Sequence, residues 1–331
     1  MRVSSSIDSI YQNNVTLAQD LKSFVDTHII SNKYEKWHYI SRIKSLESFA
    51  LKLERGGISS SSTSLDDFFA CTIVVENSTQ IDKAKDLVNK FCDIKCKRPN
   101  SNNFTHKQSS SFEFDDLRLY VTIKDDVTVP NEQIKKIVFE IQIKTFLFHA
   151  WTIAVHDLTY KSDEINWGKQ RVAYQIRAVL EQAECAIADI LNLSKLPQLD
   201  KNNKETKALN KILNVFKNHF NKIDLPSDLV RLCSNTSLLL NQFEVKENQL
   251  DAFLKAETSA GRGTKMLGLS PYQIVLLGIF YQCEDKLLSV LMGEIKLSIK
   301  IVITRELLDF IQPDIRKFIL DNSIPGIIVL A

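Results

Sequence analysis

The stretch FEIQIKTFLFHAWTIAVHDLTYK, residues 139–161, limits what this chain can fold into more than any other. Its first part alternates apolar and polar residues, so Ile141 and Ile143 share one face of a strand while Glu140, Gln142 and Lys144 share the other. From Phe146 the spacing lengthens to that of a helix, with no turn signal between. A strand that runs straight into a helix demands a layered fold, in which helices cover a sheet.

Two further segments read as strands. LDDFFACTIVVE (65–76) is apolar almost throughout, as a buried strand is, and Asn77-Ser78 ends it. DLRLYVTIKD (116–125) sets Leu117, Leu119, Val121 and Ile123 against polar or aromatic partners, the pattern of a half-buried strand. Helical spacing covers 7–30 through Ile7, Ile10, Tyr11, Val15, Ala18, Leu21, Val25 and Ile29. A second helix is expected over 35–55, stopped by Gly56-Gly57, with ISSSSTS (58–64) as a loop. A third carries Ile81, Ala84, Leu87, Val88 and Phe91, and others cover 146–160 and 167–195. The last of these has Val172, Ile176, Val179, Leu180, Ala183, Ile187 and Ile190 as its apolar face.

This order predicts an α/β (α+β) domain over 1–195, a mixed sheet flanked by helices. Residues 196–207 are polar and charged and form the expected linker to a mostly helical domain over 208–331. In that second part KLSIKIVIT (296–304) fits either a strand or a helix end. PYQIVLLGIFYQCEDKLLSVLM (271–292) fits a buried helix or a partner groove. AGRGTK (260–265) resembles a phosphate loop but lacks the Walker spacing and a preceding strand, which favours an interhelical loop.

Bulk properties narrow the function classes. With 331 residues the chain can build two cores, and 44% hydrophobic with 25% charged residues is the balance of a soluble globular protein. A net charge of +2 gives no whole-chain attraction to nucleic acid or an anionic membrane, so any polyanion site must be a local cluster. No apolar run is long enough to span a bilayer, and MRVSSSIDSIYQNN has no signal-peptide core. The six cysteines are therefore expected to be reduced thiols of a cytoplasmic protein; Cys92 and Cys96 form a lone pair with no second pair to complete a zinc site.

Chemistry can sit where charge meets apolar strand. Asp66 and Asp67 open one strand, and Glu140 lies inside another; a carboxylate there is costly unless paired or bound to a metal. Two such groups on neighbouring strands would suit Mg²⁺. Periodicity alone leaves a plainer reading open, with Glu140 facing solvent on an edge strand. Arg42, Lys44, Lys52 and Arg55 fall in one helical region, either a triphosphate cradle or a solvated helix face. His149 and His156 are seven apart on one helical face, with no third ligand in view.

In order, SRIKS, LKLER, LDDFFACTIVV, FEIQIKT, HAW and VHDLTYK resemble the synthetase domain of the RelA/SpoT alarmone synthetases, over about 36–165. The family pattern Glu-Ile-Gln-Ile-Arg-Thr, then Trp, His and Tyr-Lys, is met by Glu140, Ile141, Gln142, Ile143, Thr145, Trp151, His156, Tyr160 and Lys161, with Lys144 in place of the arginine. The resemblance implies a nucleotidyltransferase-like fold and a pyrophosphokinase that moves the β,γ-pyrophosphate of ATP to a ribose 3′-hydroxyl with Mg²⁺. By position, Asp67 and Glu140 are the metal carboxylates, and Glu140 also accepts the hydroxyl proton. Arg42, Lys44, Lys52 and Arg55 hold ATP. Phe112, Gln142, Lys144, His156 and Lys161 face the acceptor.

The chain also departs from the family pattern. Thr72 stands where an adenine-packing arginine is usual. The acceptor motif Gly-Tyr-x-Ser-x-His is absent; HKQSSSFEFDDLRLYV replaces it, with Phe112 nearest the tyrosine and Asp116 near the histidine, where a carboxylate would repel phosphate. The family resemblance implies a guanine nucleotide acceptor giving (p)ppGpp, whereas the altered loop leaves room for a different 3′-hydroxyl. Alternatives are a toxin-type enzyme acting on the tRNA 3′-CCA end, or a catalytically weak nucleotide-binding protein. The C-terminal part would then bind a protein regulator, such as an antitoxin or a phage protein.

Overall fold

The computed structural model describes residues 2–54, 65–100, 116–160, 166–263, 266 and 268–330, with the backbone alone at 156–160. The chain divides into two compact units, Met1–Leu199 and Asp200–Ala331.

The first unit is a five-stranded mixed sheet with helices. Its elements are α1 (Ser5–Asn32), β1 (His38–Ile43), α2 (Leu46–Glu54), β2 (Phe69–Val75), α3 (Ile81–Phe91), β3 (Cys92–Arg98), β4 (Leu117–Ile123), β5 (Phe139–Thr145), α4 (Phe146–Tyr160), α5 (Trp167–Ala188) and α6 (Ile190–Leu193). The strand order is β1-β2-β5-β4-β3, parallel only between β2 and β5. One face of the sheet buries Phe69, Cys71, Ile73, Val75, Leu119, Val121, Ile123, Phe139, Ile141 and Ile143 beneath α1 and α3. Leu21, Val25 and Ile29 recur every fourth residue along α1, and Ala84, Leu87, Val88 and Phe91 line α3, so each helix lays one stripe on the sheet.

Three expectations need correction. Residues 38–43 are not helical: HYISRI is rich in strand-forming side chains and pairs antiparallel with β2, and that ladder overrides the local helical spacing. Arg42 thus lies on a strand, whereas Lys52 lies on α2. The solvent-facing reading of Glu140 also fails, because β5 is the middle strand and Glu140 is 4% exposed. Finally, α5 ends at Ala188 and leaves Val172, Ile176, Val179 and Ile187 exposed, while burying Ala173, Arg177 and Glu184. The aromatic side chains of α4 decide this: the Trp151 indole N–H donates to the Ala173 carbonyl at 3.0 Å, and the Arg177 guanidinium lies 3.4 Å from the Phe148 ring centre. β3 is a further strand not anticipated from the sequence, an edge strand carrying Lys95, Lys97 and Arg98 that discourages pairing with another chain.

The second unit has its own core. It comprises α7 (Lys204–His219), α8 (Leu229–Gln242), α9 (Leu250–Ser259), α10 (Pro271–Gln282), α11 (Glu284–Leu291), β6 (Ile301–Thr304), α12 (Arg305–Leu308), α13 (Pro313–Asp321) and β7 (Ile327–Leu330). α10 is buried on nearly every side, capped by Ser270 and Gln273 in a capping box, and it breaks from α11 at Cys283 instead of continuing to 292. A Cβ on Gly278 would lie 2.3 Å from the Phe253 ring, so α9 and α10 approach there as only glycine permits. The ambiguous segment at 296–304 resolves as β6, which pairs in parallel with β7. In the AGRGTK loop Arg262 is committed to buried Glu257 at 2.6 Å and stacks 3.6 Å over the Tyr281 ring, a structural use of that residue. Among the described residues no helix is long and apolar enough to cross a membrane, and all six cysteines are free.

Candidate active site

The face of the sheet opposite α1 and α3 carries polar side chains in rows set by strand register. One row runs Arg42, Ala70, Glu140, Tyr120 and Cys96 across β1, β2, β5, β4 and β3. The next runs Ile40, Thr72, Gln142, Arg118 and Arg98. Strand alternation therefore brings Glu140, Gln142 and Lys144 to the face away from the core, as the sequence pattern requires.

At one end of the face the chain turns through Asp66 and Asp67 into β2. Lys44, just past β1, is fixed by its backbone N–H to the Phe68 carbonyl (2.8 Å) and by the Tyr11 hydroxyl donating to its own carbonyl (3.0 Å). Its ammonium pairs with Asp67. Lys52 reaches Asp67 at 2.7 Å and Asp66 at 3.3 Å from α2. Burial alone would raise the Asp67 pKa, but hydrogen bonds from Lys44 and Lys52 hold it below the ordinary carboxylate range. The same contacts raise Lys52 against its desolvation. Three of the predicted residues, Lys44, Lys52 and Asp67, are thus brought together.

Glu140 accepts a hydrogen bond from the Gln142 amide. Burial and then the Glu140 charge and hydrogen bond push the Tyr120 hydroxyl up to about 12, so that phenol stays protonated as a donor to the carboxylate. Lys144 is placed differently from expectation. It is 5% exposed and pairs at 2.9 Å with Asp116, whose side chain is 1% exposed, and it lies 3.4 Å from the Thr152 hydroxyl of α4. Burial pushes Asp116 up and Lys144 down, and each opposes the other's shift, with Arg177 and Arg118 also holding Asp116 toward its charged form. Asp116 is therefore not a bare repulsive charge: its partner is the cation expected to meet the acceptor. His149 is lowered by burial, with Lys144 and His38 adding to the effect.

Arg55, Phe112, Lys161 and the His156 side chain lie outside the described residues. Tyr120 and Arg118 were visible in sequence only as the unremarked partners in the LRLYV alternation, and Arg98 carried no signal because its strand was not anticipated. Asp67 and Glu140 offer two hard carboxylates, which fits Mg²⁺, an ion that binds through one or two carboxylates and leaves its other positions to water and phosphate. No group of three or more His, Cys, Asp or Glu suited to hold a metal occurs among the described residues.

Residues 41–165 match the family described as the region found in RelA/SpoT proteins. The matched span contains every candidate site residue named above from Arg42 to Lys161. A search of curated proteins finds no match. Among solved structures, a GTP pyrophosphokinase family protein from Streptococcus pneumoniae aligns at 21% identity with a TM-score of 0.42, covering 61% of this chain and 100% of that one. Small alarmone synthetase 1 from Bacillus subtilis aligns at 17% identity with a TM-score of 0.44, covering 57% and 98%. Small alarmone synthetase 2 from the same organism gives 20% identity and a TM-score of 0.42, covering 56% and 97%.

Proposed function

We propose, with the RelA/SpoT region at 41–165 as premise, that the first unit is an ATP-dependent pyrophosphokinase. The observation that supports this most is the pairing of Asp67 with Lys44 and Lys52 at one end of the polar face that also carries Glu140. Phosphoryl-type transfer needs positioning and charge neutralisation more than covalent help, and lysines beside a carboxylate supply both. Lys44, Lys52 and Arg42 hold the triphosphate of ATP. The acceptor 3′-hydroxyl attacks the β-phosphorus; its O–P bond forms as the bond from the β-phosphorus to the α-bridging oxygen breaks, and AMP leaves with that electron pair. The hydroxyl proton passes to Glu140, which Gln142 and Tyr120 orient. Mg²⁺, when bound by Asp67 and Glu140, would neutralise charge on the phosphate oxygens.

The acceptor is a guanine nucleotide in the first reading. The tRNA 3′ end is the second, and the observation that favours it is the buried Asp116–Lys144 pair, which withdraws a cation from the acceptor side. The unit Asp200–Ala331, with a core of its own, serves as the partner-binding module. The test is incubation of the purified chain with γ-³²P-ATP, Mg²⁺ and either GDP, GTP or bulk tRNA, comparing wild type with Glu140→Gln. Label in GDP or GTP that depends on Glu140 is the expected result. Label in tRNA alone selects the second reading, and no transfer to any acceptor leaves a nucleotide-binding protein without this activity.

A further inference from the structure

Helix α5 is turned inside out. A helix on the surface of a soluble domain normally lays its apolar stripe inward and leaves its charges to water. α5 instead buries Arg177 and Glu184, while Val172, Ile176, Val179 and Ile187 are 54%, 42%, 66% and 40% exposed. Both buried charges are in use. The Arg177 guanidinium lies over the Phe148 and Trp151 rings, and Glu184 accepts the Ser78 backbone N–H at 3.2 Å. Turning the helix to hide its apolar side would strip both charges of these contacts, so the apolar side stays outward. Its residues Val172, Ile176, Val179, Ala183 and Ile187 recur at intervals of four, three, four and four, close to the repeat by which two helices keep one seam in contact. At the α-helical rise this stripe is about 22 Å long, and Ile190, 61% exposed at the start of α6, prolongs it. Single exposed apolar residues need no explanation, whereas a continuous stripe marks an interaction surface.

The flank of the stripe decides what fits it. Arg171, Gln175, Gln182 and Asp189 follow one another along one edge, all exposed, with the positive charge near the N-terminal end and the negative charge at the C-terminal end. A second α5 laid antiparallel about a two-fold axis near residue 181 brings Arg171 of each copy to Asp189 of the other. The same axis sets Val179 opposite Ala183, Ile176 opposite Ile187 and Val172 opposite Ile190. A parallel pair would instead place like charges side by side. We propose that this chain forms a two-fold dimer in which the outward face of α5 packs antiparallel against the α5 of a second copy. The dimer does not depend on the pyrophosphokinase reading.

Sedimentation equilibrium of the full chain over a concentration series tests this, with far-UV circular dichroism to check that each variant is folded. Wild type should dimerise. Val179→Lys brings two ammonium groups close to the axis and should raise the dissociation constant by about tenfold or more. Ile30→Lys, at a 58% exposed apolar residue of α1, should leave it unchanged. Arg171→Glu or Asp189→Arg alone should weaken the dimer by roughly two- to tenfold, because each reverses both symmetric pairs. The two changes combined should restore it. Wild type that stays monomeric at every concentration overturns the dimer and leaves the stripe to a different partner. A dimer that tolerates Val179→Lys overturns its placement on α5. Charge reversals that weaken the dimer singly without recovery in the double variant overturn the antiparallel arrangement.

Discussion

The two ends of the polar face are held together by ion pairs of opposite character. At the Asp67 end the lysines are 14% and 40% exposed and their shared carboxylate 28%, so water reaches the cluster and a phosphate can compete for the cations. At the Asp116 end the pair is 5% and 1% exposed, and Arg177 backs it while stacked between aromatic rings. The first cluster is built to exchange partners, and the second is built to keep them. A cation seen in a family-like position is thus available for chemistry only when its existing partner is solvated enough to be displaced.

The largest expected effect tests that contrast directly. Asp116→Ala leaves Lys144 buried without its carboxylate and should cost roughly 3–5 kcal/mol of stability in urea denaturation. Lys52→Ala, at the exposed end, should cost less than about 1 kcal/mol. Equal costs would break the distinction. Next, Glu140→Gln should lower kcat for transfer by about 10²–10⁴-fold with the far-UV circular dichroism unchanged, since the amide keeps the shape but cannot accept the proton. A smaller effect is expected of Lys52→Ala on ligand: the KM for ATP rises roughly tenfold while acceptor KM holds, measured by initial rates.

The smallest effect is in pH dependence, and its sign differs between the two ends. Asp67 has a folded-state pKa below its ordinary 3.8, so its contribution is present above 3.8 and fades as pH falls through the lower folded value. Asp116 has a raised pKa, so its contribution is fullest below 3.8 and fades as pH rises through the folded value. The stability lost in Asp67→Asn should therefore shrink on acidification below 3.8, as read by urea titrations over a pH series. A gap that widened instead would place Asp67 outside the lysine cluster.

What could be read in the sequence was what repeats or alternates locally. β4, β5, α3 and α4 follow from periods of 2 and 3.6, and Asp67 and Glu140 stood out as carboxylates beside apolar runs. What could not be read depends on partners distant in the chain. HYISRI becomes a strand because β2 offers it a ladder, and Arg98 meets Arg118 only across the β3–β4 pair. The apolar stripe of α5 was visible as a pattern, but which side of that helix faces inward is decided by Phe148 and Trp151 on α4. Lys144 illustrates the same limit: its type and strand face were legible, whereas its commitment to Asp116 required the register of β4 against β5.

The central β2–β5 pairing sets a schedule for the nascent chain. Ala70 and Glu140 are level in register but lie far apart in sequence, on strands joined by a crossover that includes β3 and β4. Contacts of such long sequence separation form late, after much loop entropy has been spent. Asp67, Lys44 and Lys52 lie close together in sequence, whereas Glu140 comes into the same sheet only through the β2–β5 pairing. A polypeptide interrupted before residue 139 would lack Glu140 and the strand that pairs with β2. Asp67 and Glu140 therefore come to one sheet only once its middle strand pair is closed.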